Sequence, residues 1–96
     1  MILINTDFEE EILRNLCEMA KENEPFLNIL QYLISSFHLN KYSRIKAIRY
    51  FRIAFQIDLK YAKALGAWDF FDGGTWNIDE VEKLLKPLIE ETVKEL

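Results

Sequence analysis

Apolar residues recur at steps of three and four in five separate segments of this 96-residue chain. This spacing places the apolar side chains of each segment on one face of a helix, which must then pack against other helices. No segment alternates apolar and polar residues over a length that demands a β-strand. Half of the residues are hydrophobic and 14% are aromatic, which is enough for a modest core. The sequence therefore predicts an all-α fold of about five helices, with residues 1–96 forming a single domain.

Local signals predict the first two helices. Thr6 and Glu9 have the spacing of a capping box, which starts a helix of about 16 residues that ends at Asn23-Glu24-Pro25. Pro25 opens the second helix, because a proline is tolerated at the first helical position. This helix is almost free of charge, and we expect it to be the central, most buried element. Its apolar residues are Leu27, Leu30, Leu33, Ile34 and Phe37.

The middle of the chain predicts a pair of helices joined by a tight turn. The third helix is expected to run from Lys41 to Phe55, with an apolar side and a basic side. Asp58 is placed to cap a short fourth helix, residues 59–65, and Gly66 is expected to stop it. The two helices would form an αα-hairpin.

A loop rich in tryptophan and glycine is expected at residues 67–76, before the C-terminal helix. Four aromatic residues surround Gly73-Gly74, and they either pin the loop to the core or offer a rigid anchor to a partner. Asn77 and Glu80 form a second helix-start signal. Pro87 lies inside the helix that follows and predicts a kink one turn earlier or a break into two pieces.

Charge is divided along the chain into acidic, basic and acidic blocks. Residues 1–24 carry seven acidic and two basic side chains. Residues 25–64 carry one acidic and seven basic side chains, and residues 65–96 carry eight acidic and three basic ones. Either the acidic ends neutralise the basic middle within the monomer, or one of these surfaces attracts a partner. The total is −4 and the isoelectric point is near 5.0, so we do not expect nucleic acid as the partner.

Motifs for catalysis, metal binding or cofactor binding do not occur in the sequence. Cys17 is the only cysteine and is expected to be a half-buried inert thiol, and His38 is expected to be a structural or exposed histidine. Closely spaced carboxylates such as Asp69 and Asp72 are expected to serve the loop rather than a cation. We therefore expect a non-enzymatic cytoplasmic protein with no catalytic residue, metal, cofactor, small-molecule substrate or membrane contact.

Residues 44–65 resemble the helix hairpin of the C-terminal domain of the bacterial ribosomal stalk protein. The strongest matches are Ile48, Arg49, Arg52 and the run Leu59-Lys60-x-Ala62-Lys63. In that family the lysine-rich surface of the hairpin docks translational GTPases, so the resemblance implies protein binding at Lys60 and Lys63. The turn glycines of the family are replaced here by Gln56 and Asp58, and its edge strands have no counterpart.

The run Ile-Asp-Leu-Lys-x-Ala-Lys, in a chain of this size with acidic ends and a Trp-rich loop, also resembles small immunity proteins of bacterial contact-dependent growth inhibition systems. Such proteins bind a cognate toxin domain, often a nuclease, and block it. An acidic surface suits a nuclease, because the groove that holds its substrate is positively charged.

These observations predict a protein that neutralises a cognate toxin domain through an acidic and aromatic surface. That surface consists of Trp68, Asp69, Asp72, Trp76, Asp79 and Glu80. A second possibility is an adaptor in translation or nucleic-acid binding that uses the basic hairpin. The alternative binding residues are Glu11, Glu18 and Glu22 on the first helix, and Arg49, Arg52, Lys60 and Lys63 on the hairpin.

Overall fold

The computed structural model describes residues 9–94, which form five α-helices. These are α1 (Glu10–Lys21), α2 (Phe26–Phe37), α3 (Arg44–Phe55), α4 (Leu59–Gly66) and α5 (Ile78–Lys94). The prediction of an all-α fold with a hairpin of the third and fourth helices is confirmed. Glu9, the second residue of the predicted capping box, is extended and lies just before α1, so the first helix has 12 residues and begins at Glu10, later than predicted. Thr6 itself lies outside the described residues.

The most buried helix is α3, not α2 as the sequence predicted. Six residues are buried in α3, whereas four are buried in α2. The α3 helix also packs against α1, α4 and α5. The prediction was wrong because it equated low charge with burial, whereas α2 turns Leu27 and several uncharged polar side chains to solvent. The basic residues of α3 lie along one side, which leaves its other side free to form the core.

The third helix begins at Arg44 rather than at Lys41. The preceding residues form a turn in which the Tyr42 N–H donates to Asn40 Oδ1 (2.8 Å) and the Asn40 N–H donates to Ser43 Oγ (3.0 Å). Such bonds from short polar side chains compete with helical hydrogen bonding, which explains the later start.

Gly66 is the last residue of α4. Glycine at this position allows close contact between α3 and α4, and it does not stop the helix. A Cβ atom on Gly66 would lie 2.7 Å from Ile48 Cδ1 and 3.0 Å from Arg44 Cγ. The residue after it, Ala67, keeps a right-handed conformation, so no left-handed cap is present here. Asp58 holds the N-cap position of α4 without a side-chain cap bond.

The start of α5 matches the sequence prediction, and of the two outcomes predicted for Pro87, a kink or a break, the break does not occur. The Asn77 N–H donates to Glu80 Oε1 and the Glu80 N–H donates to Asn77 Oδ1, each at 2.9 Å. The helix then continues through Pro87 to Lys94. Pro87 is exposed, while Val81, Leu85 and Ile89 are buried on both sides of it in sequence, and their packing keeps the helix continuous.

The α3–α4 turn contains a residue in a conformation that favours glycine. Gln56 has φ 53° and ψ 44°, and its side chain is exposed. Because glycine adopts this left-handed region without the Cβ clash, Gln56→Gly should raise the free energy of unfolding by on the order of 0.5–1 kcal/mol. Urea titration measures the change. Lys83→Gly, in the interior of α5, is the control and should lose about 1 kcal/mol. Equal losses in both variants would contradict this account of the turn.

Candidate protein-binding surface

Residues 67–76, which we call the aromatic loop, are closed into a loop by hydrogen bonds between the two ends of the segment. The N–H groups of Thr75 and Trp76 both donate to the Ala67 carbonyl oxygen at 2.9 Å. The Asp69 N–H donates to the Trp76 carbonyl oxygen at 2.7 Å. These bonds fix the backbone at both ends, so the side chains of Asp69 and Trp76 are displayed from a defined position.

Trp68 pins the aromatic loop to the core, one of the two roles that the sequence left open for its aromatic residues. Its side chain is only 8% exposed, stacks on Phe70 with ring centroids 5.0 Å apart, and meets the buried Phe71 edge-on at 6.0 Å. Trp68 therefore positions the loop and does not present its ring to a partner. Phe70 and Trp76 are half-buried residues that pack against the core.

The aromatic loop is also attached to the start of α3. The Asp72 N–H donates to the Lys41 carbonyl oxygen at 2.8 Å, and Arg44 Nη2 donates to the Asp72 carbonyl oxygen. Both backbone groups of Asp72 are therefore fixed, while its side chain is exposed. No local pattern in the sequence indicates this role of Arg44, because the partners are 28 residues apart.

The carboxylates predicted for the binding surface are all exposed, but they differ in what else they do. Asp69 and Asp72 project from the aromatic loop, and Asp79 from the first turn of α5. The Glu80 carboxylate accepts the Asn77 N–H in the helix cap, so it has a structural role. A backbone hydrogen bond thus links Asp69 to Trp76. Asp72 lies on the same loop, and Asp79 lies on α5, the helix that follows the loop.

The alternative acidic and basic binding residues lie on other elements. Glu11, Glu18 and Glu22 are exposed on or just after α1, and Glu18 pairs with Lys21 at 3.9 Å. The basic residues of the hairpin are also exposed. They are Arg49 and Arg52 on α3, and Lys60 and Lys63 on α4.

The lone histidine and cysteine have the structural settings expected for them. His38 is exposed and ends α2 in a left-handed conformation, with φ 53°. Cys17 is half-buried, its thiol donates to the Ala54 carbonyl oxygen at 3.2 Å, and burial raises the pKa of the thiol. A higher pKa favours the protonated form, which is the less nucleophilic form.

Within residues 9–94, no group of three histidine, cysteine, aspartate or glutamate side chains is arranged to hold a metal ion. No helix in the same range combines the length and hydropathy needed to cross a membrane. Comparison of the chain with protein-family models, curated proteins and solved structures finds no significant match.

Proposed function

We propose that this chain is a non-enzymatic immunity protein that binds and neutralises a cognate toxin domain through the aromatic loop and the start of α5. The observation that carries the proposal is the attachment of the loop, since its backbone is bonded at both ends and at Asp72 while Asp69 and Asp72 stay exposed. A surface already held in its binding conformation loses little entropy on association. The proposal places the chain and its partner in the cytoplasm.

The charge of this surface supports a basic partner. Asp69, Asp72 and Asp79 are exposed within 11 residues of sequence, and complementary charge steers association between proteins. A nuclease domain fits this requirement, because its nucleic-acid groove must be positively charged. Trp76 and Phe70 add half-buried aromatic rings, the residue type that often dominates interface energy.

The test uses the protein encoded by the reading frame directly upstream, because immunity proteins follow their toxins. Expression of its C-terminal domain should stop bacterial growth, and co-expression of this chain should restore it. Asp69→Lys with Asp72→Lys should slow association of the purified proteins at least about tenfold and reduce protection, because the steering charge is reversed.

Glu90→Lys with Glu91→Lys is the matched control, since it makes the same change in net charge at two exposed positions near the other end of α5. This control should protect as well as the parent chain. Both double variants must keep the helical circular dichroism spectrum and the unfolding midpoint. A chain that does not protect, or a loop variant that protects as well as the control, would contradict the proposal.

A further inference from the structure

A second exposed surface, unrelated to the aromatic loop, lies on the outer side of α3. Ile45 is 66% exposed and Ile53 is 51% exposed. Arg49 lies midway between them, four residues from each, so the three side chains form one row along the helix. Tyr42, 72% exposed, comes just before the helix. With a rise of about 1.5 Å per residue, the row from Ile45 to Ile53 is about 12 Å long. We call this row and the basic residues beside it the α3 face.

Basic side chains lie on both sides of this row as well as at its centre, and contacts hold two of the flanking ones in place. Lys46 Nζ lies 4.1 Å from the ring centroid of Phe37 in α2. Arg52 Nε donates to the Ile57 carbonyl oxygen at 3.4 Å in the α3–α4 turn. The helix contains four basic residues and no acidic residue. The α3 face is therefore positive in a chain whose total charge is −4.

The C-terminal end of the α3 face opens into a cavity of about 330 Å³ at the α3–α4 turn. The cavity is lined by Arg49, Arg52, Ile53, Gln56, Ile57 and Asp58. Its lining combines the apolar side chains of Ile53 and Ile57 with the Arg52 guanidinium and the Asp58 carboxylate, so it can accept an apolar side chain that has a polar or charged neighbour.

We infer that the α3 face binds an acidic amphipathic helix of a partner protein. Charge complementarity requires acidic groups on the occupant, and the exposed isoleucines require apolar groups between them. A nucleic acid backbone would pair with the basic side chains. It would, however, cover Ile45 and Ile53 with phosphate and sugar, which offer them no apolar surface. An amphipathic helix matches the length of the row with about two turns and offers apolar residues at the same spacing.

The experiment selects ligands from a displayed library of random 16-residue peptides with the whole chain as the target. Enriched peptides should combine acidic residues with apolar residues at helical spacing. Ile45→Ser with Ile53→Ser should weaken binding of a selected peptide at least about tenfold, and Arg52→Gln should weaken it and flatten its salt dependence. These side chains are exposed, so the variants should keep the unfolding midpoint of the parent chain.

Two variants serve as matched controls for the selected peptide. Leu27→Ser removes a different exposed apolar side chain, which lies on α2, and Lys83→Gln removes a base from α5. Both should bind as the parent does. Asp69→Lys with Asp72→Lys should also bind the peptide, so failure of the toxin proposal and failure of this inference give different results.

Several outcomes would overturn the inference. The first is that no peptide is enriched, and the second is that the enriched peptides have no excess of acidic residues. The third is that Ile45→Ser with Ile53→Ser binds a selected peptide as well as the parent chain does. Sub-micromolar binding of a DNA or RNA duplex that is lost on reversal of Arg49 and Arg52 would identify nucleic acid as the occupant instead. A dimer in sedimentation that disappears in the isoleucine variant would identify a second copy of the chain.

Discussion

Trp68→Ala is expected to lower the free energy of unfolding by about 3–5 kcal/mol, the range typical of a large aromatic residue removed from a core. Trp68 is 8% exposed and contacts both Phe70 and Phe71, so its loss leaves a cavity under the aromatic loop. A domain of this size is stabilised by only about 5–15 kcal/mol, so the change removes a large part of the total. Urea denaturation followed by circular dichroism measures it.

Trp76→Ala provides the comparison, because Trp76 is half-buried and lies in the same loop. It should cost less stability than Trp68→Ala. If Trp76 contacts the partner, its loss should appear mainly as faster dissociation of the complex. An unchanged unfolding midpoint for Trp68→Ala would contradict the role of Trp68 as the core residue that positions the loop.

Gly74→Ala is expected to cost about 3 kcal/mol and to disturb the aromatic loop. A Cβ atom at this position would lie 2.0 Å from the Trp68 carbonyl oxygen and 2.6 Å from its carbonyl carbon. Both are backbone atoms, so the clash is relieved only if the loop itself moves. Urea denaturation measures the stability, and amide hydrogen exchange at Thr75 and Trp76 measures the loop, because their N–H groups lose protection if the bonds to Ala67 break.

Gly73→Ala is the matched control for this clash. Gly73 has φ 81°, and a Cβ atom there would meet only Arg44 Nη2, at 3.9 Å. Gly73→Ala should therefore lower the free energy of unfolding only because alanine is unfavourable at a positive φ, which costs about 1–2 kcal/mol. If Gly73→Ala and Gly74→Ala cost the same, contact with the Trp68 carbonyl is not what requires glycine at position 74.

Signals carried by a few neighbouring residues allowed much of the fold to be predicted from the sequence. The reciprocal bonds of Asn77 and Glu80 follow from their spacing, and helical periodicity gave the number and order of the helices. Local signals failed where packing or side-chain competition decided the outcome. Examples are the later start of α3 after Ser43 and the continuity of α5 through Pro87.

The proposed binding surface was less predictable, because burial and long-range contacts determine which side chains it exposes. Composition marked Trp68 and Trp76 equally, whereas the fold buries the first and leaves the second half-exposed. No local pattern could place Arg44 on the carbonyl oxygen of Asp72. The sequence predicted which side of α3 faces the core, but Ile45 and Ile53 lie among the basic residues on the opposite side, where single apolar residues carry no local signal for a binding surface.

The most direct test of the proposed function is an NMR titration of the isotope-labelled chain with the purified toxin domain from the upstream reading frame. We expect the largest shift changes at Asp69, Asp72, the indole N–H of Trp76 and the first turn of α5. Shift changes confined to α1, around Glu11 and Glu18, with the aromatic loop unperturbed, would contradict it.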